Sequence, residues 1–330
     1  RISATDAAID LIDSAILRPA RVAIDRQFTD QPQVDAKLRF ALAQQYEGLG
    51  NYEAGAEVEE QSLATLRRTL GDEDRRTLAG AASRGHLRNY QGRHEEAEDE
   101  LATVLEVQRR VLGEDDPDTL LTLQYLSHAL QQQSRFREAA DLSLQALRGW
   151  QRVKGADSKE AITAQSGLAG VERQLGHFER AEFLHCDAVE RLRRTIGDDQ
   201  RQTMLTLSNL GVLYFEQGKL GDAEACFREV RERRRVMLGA LHPETLQSTD
   251  ALAQILNLSG QAEEAEALQR GNLENLRRQL GPEHPRTLEL VGNLGASLAA
   301  ARKFAEAEPL CRAALEGRLR REMAQSRVAS

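Results

Sequence analysis

The chain has 330 residues, 41% hydrophobic, 29% charged and only 4% aromatic, with a formal net charge of −8. A single core stops growing at roughly 250–300 residues, so this length calls for several domains or a repeat array of ordinary folded composition. The acidic balance excludes the basic surface that nonspecific nucleic-acid binding and anionic membranes require, and no run of about 18 apolar residues is present to span a bilayer.

The N-terminus, Arg1-Ile2-Ser3-Ala4-Thr5-Asp6, lacks the basic-then-apolar layout of a secretion signal and begins without Met. A cytoplasmic chain, excised from something longer, is the expectation. Thr5–Leu17 reads as one helix ended by Pro19, and Ala20–Phe28 as a second. Residues 1–30 are therefore expected to form a helical cap over the apolar end of a repeat array.

That array runs from residue 31 to 323. Leu70-Gly71, Leu112-Gly113, Lys154-Gly155, Ile196-Gly197, Leu238-Gly239 and Leu280-Gly281 recur every 42 residues. Six residues after each Gly stands Thr77, Thr119, Ala161, Thr203, Thr245 or Thr287. A second turn keeps the same period: Gly50, Gly92, Ser134, Gly176, Gly218, Gly260 and Arg302. Five residues beyond it come Gly55, Ala97, Ala139, Ala181, Ala223, Ala265 and Ala307. The first Gly should close a long helix in a left-handed conformation, and Pro117, Pro243 and Pro285 should open the next helix. The small residue after the second turn should let the paired helices cross closely. One such hairpin cannot bury its apolar stripe alone, but stacked neighbours can. The last helix, Phe304–Glu322, needs a polar outer face, which Arg312, Glu316, Arg318, Arg320 and Arg321 provide, and residues 324–330 form a tail.

The runs Asn209-Leu210-Gly211-Val212-Leu213-Tyr214 and Gln217-Gly218-Lys219-Leu220-Gly221-Asp222-Ala223-Glu224 resemble the tetratricopeptide repeat. The 42-residue spacing and Leu238-Gly239-Ala240-Leu241-His242-Pro243-Glu244-Thr245-Leu246 are similar to its kinesin-light-chain type. The resemblance covers about seven units and implies an all-α fold: a right-handed superhelical α-solenoid of helix-turn-helix pairs. It further implies a non-catalytic scaffold that binds a peptide or protein partner in a groove lined by the first helix of each pair. The segment Arg26–Asp35 is similar to the stretch before the repeats in some large bacterial regulatory proteins. Two alternatives therefore stand: a regulatory or substrate-docking arm of a signalling enzyme such as a serine/threonine kinase, with a covalently linked catalytic domain N-terminal to Arg1, and a self-association module.

No phosphate-binding Gly loop, kinase signature or nucleophile elbow is present, so neither enzyme chemistry nor a cofactor is expected. Cys186, Cys226 and Cys311 are too widely spaced for a metal or disulfide pattern. His242 and His284 precede prolines and read as helix-start residues, His94 falls at a turn, and His185-Cys186 cannot share a helix face. His86 and His128 lie 42 residues apart, so they occupy equivalent groove-facing places. Arg67, Arg109, Arg193, Arg235 and Arg277, with Arg68, Arg110, Arg152, Arg194 and Arg278 beside them, fall in helix-closing turns, where they offset the negative C-terminus. Glu98, Glu182, Glu224, Glu266 and Glu308 match the other end of the same helices.

Departures from the pattern are the candidates for function. Arg84 and Arg88 stand where other units have Leu126, Leu168 and Leu210, and Leu130, Tyr214 and Leu256. They are either snorkelled arginines or an anchor for a partner's carboxylate or phosphate, and replacing both by Leu is expected to raise stability. Asn209 and Asn293 face the groove at a place where, in the family, an Asn bonds an extended peptide backbone; the other units have Ala41, Ser83, Tyr125, Gly167 and Ala251. Gln44, Gln124, Gln131, Gln254 and Asn257 add polar groups. The candidate partner-binding residues are Arg84, His86, Arg88, Tyr90, Gln124, His128, Asn209 and Asn293, with no catalytic or metal residue.

Overall fold

The computed structural model describes residues 11–328 apart from Thr29 and Leu241, and side chains as far as residue 320, Gln279 also excepted. Among these residues there are fifteen α-helices, one π-helical turn and no strand. The π turn, Asp13–Leu17, leads into α1, Arg18–Gln27. Seven helix pairs come after it: α2 (Pro32–Gly48) with α3 (Tyr52–Leu70), α4 (Arg75–Tyr90) with α5 (His94–Val111), α6 (Pro117–Gln132) with α7 (Phe136–Lys154), and α8 (Lys159–Gln174) with α9 (Phe178–Thr195). The remaining three are α10 (Arg201–Glu216) with α11 (Leu220–Leu238), α12 (Pro243–Leu258) with α13 (Ala262–Leu280), and α14 (Pro285–Ala300) with α15 (Phe304–Val328). The chain divides into two compact units between Arg191 and Leu192, and within each unit successive helices pack on one another.

The second turn of the repeat is the left-handed one. Gly50, Gly92, Gly176, Gly218 and Gly260 have φ between 72° and 80°. The Asn51 amide donates to the Tyr46 carbonyl at 2.9 Å and Gly50 to Glu47 at 2.9 Å, the paired bonds of a Schellman ending. The first turn departs from expectation: Gly71, Gly155, Gly239 and Gly281 combine φ of 86–91° with ψ of 158–170°. That region is open only to Gly, and the chain needs it to leave one helix fully extended towards the cap of the next. Asp74, Asp116, Ser158, His242 and His284 are those caps, each accepting a backbone N–H of the following first turn.

Ser134 and Arg302 hold the left-handed turn without being Gly, both at φ 60°. Replacing Ser134 by Gly is expected to stabilise the chain by roughly 0.5–1 kcal/mol, because the Cβ strain goes while the turn stays. Thermal melts read the change, and an unchanged or lowered midpoint would contradict it.

The small residues do what the spacing predicted. Ala97, Ala139, Ala181, Ala223 and Ala265 are fully buried at the helix crossings. Helical glycines also let paired helices approach: a Cβ on Gly149 of α7 would lie 2.2 Å from Leu120 of α6, and one on Gly211 of α10 2.8 Å from Phe227 of α11.

The N-terminal segment is one helical run across Pro19 rather than two helices. The Arg18 amide reaches back five residues to Asp13, so the π turn absorbs the proline without a break. Its Leu17 and Ile24 join Leu42, Ala43, Tyr46 and Val58, and the Tyr46 hydroxyl donates to Asp13 at 2.7 Å. The first ten residues lie outside the described part. At the other end α15 runs to Val328, past the expected boundary. Arg312, Glu316, Arg318 and Arg320 are exposed, as expected, but so are Leu315 and Leu319.

Neighbouring repeats are laced together on the outside. Arg135, Gln261 and Lys303, each just after a left-handed turn, reach back to Glu98, Glu224 and Glu266 of the preceding second helix at 2.6–2.8 Å. The closing-turn arginines also find carboxylates: Arg110 meets Glu73 at 2.6 Å, Arg193 meets Glu229 at 2.7 Å, and Arg152 pairs with Asp115. These residues are therefore a set of exposed, solvent-screened ion pairs in addition to offsetting helix dipoles. No described helix is long and apolar enough to cross a membrane.

Candidate functional site

In the unit ending at Arg191, the first helices α4 and α6 bring four rings together. His86 and Tyr90 are one turn apart on α4, and on α6 His128 holds the repeat place of His86, with Tyr125 one turn before it. His86 stacks on Tyr125 at 3.9 Å and 15°, and meets Tyr90 edge-on at 4.8 Å. Tyr90 in turn stacks on Tyr52 at the start of α3, at 4.6 Å and 7°. His128 lies 5.6 Å from Tyr90 and 6.1 Å from His86. The places of His86 and His128 are thus equivalent and adjacent, as their spacing predicted. Tyr52 and Tyr125 complete the patch; Tyr125 sits at the repeat place of Asn209 and Asn293.

Polar groups fix the rings. His94 Nδ1 donates to Asn89 Oδ1 at 2.6 Å, and Asn89 Nδ2 donates to His128 Nδ1 at 2.9 Å. His128 must therefore be neutral at that nitrogen. Burial, followed by the neighbouring His86 and His94, lowers its pKa in the same direction. Glu47 lies 3.5 Å from His86 Nε2. Burial first, then Glu47, pushes the Tyr125 phenol up, so it stays protonated. Tyr90 leaves 44% of its surface to solvent.

Arg84 and Arg88 belong to a different contact. Arg84 Nε donates to Glu100 on α5 at 2.8 Å, its other nitrogens reach Glu100 and Glu60, and Arg88 meets the same Glu100 at 2.8 Å. The Glu100 side chain is only 9% exposed. Both arginines are committed to the protein's own carboxylates, so the expectation that leucines there would stabilise is reversed. Glu100 was the legible signal: its repeat place holds Val58, Leu142, Leu184, Cys226, Leu268 and Leu310 in the other units. Gln124 is half-buried and accepts the Trp150 indole N–H at 3.1 Å.

In the unit beginning at Leu192, Asn209 is exposed on α10. Asn293 on α14 is half-buried and hydrogen-bonds Asp250 of α12. Asp250, Gln254 and Asn293 line two adjoining clefts of about 450 and 270 Å³. Burial, with Glu289 nearby, pushes the Asp250 carboxyl up to about 6 despite the Asn293 bond. Asn257, two turns beyond Asp250 on α12, donates to Ser297 at 2.8 Å. Gln254 and Asn257, singled out from the sequence as polar groups, line these clefts; so do Asp250, Glu289 and Gln269, which the sequence did not single out.

No curated protein matches the chain. Several solved structures share its fold at low identity. A putative kinesin light chain from Podosopora anserina with nearly identical TPR-like repeats is 21% identical, spanning 63% of this chain and 98% of that one at TM-score 0.52. The apo quorum sensor NprR from B. thuringiensis is 14% identical over 94% of this chain and 98% of its own, at 0.55. A signal-transduction ATPase with a tetratricopeptide repeat sensor from Pyrococcus horikoshii is 15% identical over 85% of this chain and 43% of that one, at 0.58. The tetratricopeptide repeat model matches residues 77–149, 128–194, 160–235, 202–270 and 244–320. Repeat spacing, helix pairing and these matches agree, and the chain belongs to the tetratricopeptide repeat family.

Proposed function

We propose that the chain is a non-catalytic interaction scaffold that takes up an extended peptide or protein segment on the faces of its first helices. The observation that carries this reading is the ring patch of Tyr52, His86, Tyr90, Tyr125 and His128. The helix stack does not need these side chains there, since other units place Gln44, Gly167, Ala251 and Ala296 at the corresponding places of α2, α8, α12 and α14. Rigid aromatic surface with polar tips is what binding sites use, because it contributes contact area at a small loss of side-chain freedom. Exposed Asn209 and half-buried Asn293 offer paired donor and acceptor groups to a backbone on the other unit.

Selection of displayed random peptides on the purified chain tests the reading. The wild type should enrich defined sequences. Binding should be lost with Tyr90→Ala for those seated on α4 and α6, and with Asn209→Ala plus Asn293→Ala for those seated on the second unit. Failure to enrich any sequence, or recovery unchanged in all variants, would contradict it.

A further inference from the structure

The paired clefts between α12 and α14 contain acceptors with nothing to accept. Asp250 Oδ1, Asn257 Oδ1 and Gln269 Oε1 are buried without a hydrogen-bond partner. All three residues line the clefts, and Gln269 is almost wholly removed from solvent, at 1% exposure. Buried acceptors in folded proteins almost always find donors. Three unpaired acceptors along the same clefts, one of them on an almost wholly buried side chain, favour a ligand that brings donors.

We propose that these clefts bind a guanidinium group, carried by an arginine side chain of the scaffold's partner; this rests on the reading of the chain as a binding scaffold. The unpaired atoms are acceptors, and Asp250 and Glu289 make the site acidic, so an anion or an acceptor-rich ligand does not fit. Arg286 borders the first cleft yet leaves Asp250 Oδ1 without a donor. Apolar side chains stand among these polar groups, Leu246, Leu276 and Leu290 in the first cleft and Phe215 and Leu258 in the second. A flat, weakly hydrated, donor-rich cation suits such a lining better than a compact ammonium.

The repeat itself supplies an independent argument. Three repeats earlier, the place of Asp250 is held by Gln124 and that of Leu276 by Trp150. There the flat indole fills the space and its N–H satisfies the Gln124 oxygen at 3.1 Å. Here the same place holds leucine, which has no donor to offer, and a cleft lies beside an acceptor without a partner. A guanidinium is flat, carries N–H donors at its edge, and adds the charge that Asp250 complements.

The test uses two capped single residues, N-acetyl-arginine methylamide and its neutral, similarly shaped counterpart N-acetyl-citrulline methylamide, titrated into labelled full chain. NMR signals of the Asn257 and Asn293 side-chain amides report binding. The arginine probe should shift them, and citrulline should not. Asp250→Asn should weaken the arginine probe by about tenfold, the loss of one charged hydrogen-bond partner. Leu276→Trp, which places an indole where Trp150 stands three repeats earlier, should abolish the response, with circular dichroism showing that both variants fold. No shift with the arginine probe, equal shifts with both probes, or indifference to both variants would overturn the proposal. Because each probe is a single residue, this outcome is separate from whether any peptide is selected by the chain: binding on the ring patch alone would leave the scaffold reading standing while this site fails.

Discussion

Arg84→Leu combined with Arg88→Leu is expected to destabilise the N-terminal unit by about 3–5 kcal/mol, although it restores the leucine pattern of the neighbouring repeats. Glu100 sits on α5 with a side chain only 9% exposed, and the two guanidinium groups supply its ion-pair partners. Removing them leaves a largely buried carboxylate without its ion-pair partners. Adding Glu100→Leu removes the stranded charge and matches Leu142 and Leu268 at the same repeat place, so the triple variant should recover most of the loss. Buried ion pairs replaced whole by apolar groups are often neutral or better, whereas half-replaced ones are costly. Denaturant unfolding of the wild type, the double variant, Glu100→Leu alone and the triple variant checks this. A double variant more stable than the wild type, or a triple variant no better than the double, would contradict it.

The second large effect concerns Glu59 on α3. It is fully buried, neither carboxyl oxygen has a hydrogen-bond partner, and burial pushes its pKa up to about 8 from 4.5, against the pull of Arg84. The folded state therefore holds this proton more tightly than the unfolded chain does. The cost of ionising it is absent below the unfolded value, grows between 4.5 and about 8, and is complete above that. At ~1.4 kcal/mol per pH unit the cost reaches roughly 3 kcal/mol by neutral pH. Glu59→Gln keeps the shape and removes the titration. The variant should match the wild type near pH 4.5 and exceed it increasingly as pH rises. Parallel stability profiles across that range would refute the buried, unpaired carboxyl. Gly80 faces this group: a Cβ there would lie 3.0 Å from Glu59 Oε1, which is why the site accepts a glutamate at all. Because Arg84 acts on both Glu59 and Glu100, the Arg84 and Glu59 substitutions should not be additive.

Much of the fold could be read from the chain because turns obey local rules. Gly50 and its equivalents, the prolines of α6, α12 and α14, and the Ala97 series each solve a problem within a few residues of themselves. The conformation of Gly71 and its equivalents was harder to read, since positive φ is shared by two glycine-only geometries and the direction of the next helix decides between them. Pro19 misled for a related reason: a π turn hides a missing donor that an α-helix would not.

The site was legible only in part. Equal spacing put His86 and His128 side by side, and Asn209 and Asn293 on matching faces. The partners of Arg84, at Glu60 and Glu100, are 24 and 16 residues away on two other helices, where no helical period links them. They become visible only when each repeat place is compared down the whole array, which marks Glu100 as a charged intruder in an apolar column. Gln124 shows the converse error. It looked like a free groove amide, and the Trp150 indole that occupies it is 26 residues away.

The scaffold claim is tested most directly by hydrogen exchange on the full chain with and without a selected peptide, resolved along the sequence. The account predicts new protection concentrated in first helices: α4 and α6 around His86, Tyr90 and His128, or α10, α12 and α14 around Asn209, Gln254 and Asn293. Protection confined to the second helices, such as α5, α7 or α11, would place the partner on the opposite layer of the pairs and contradict it.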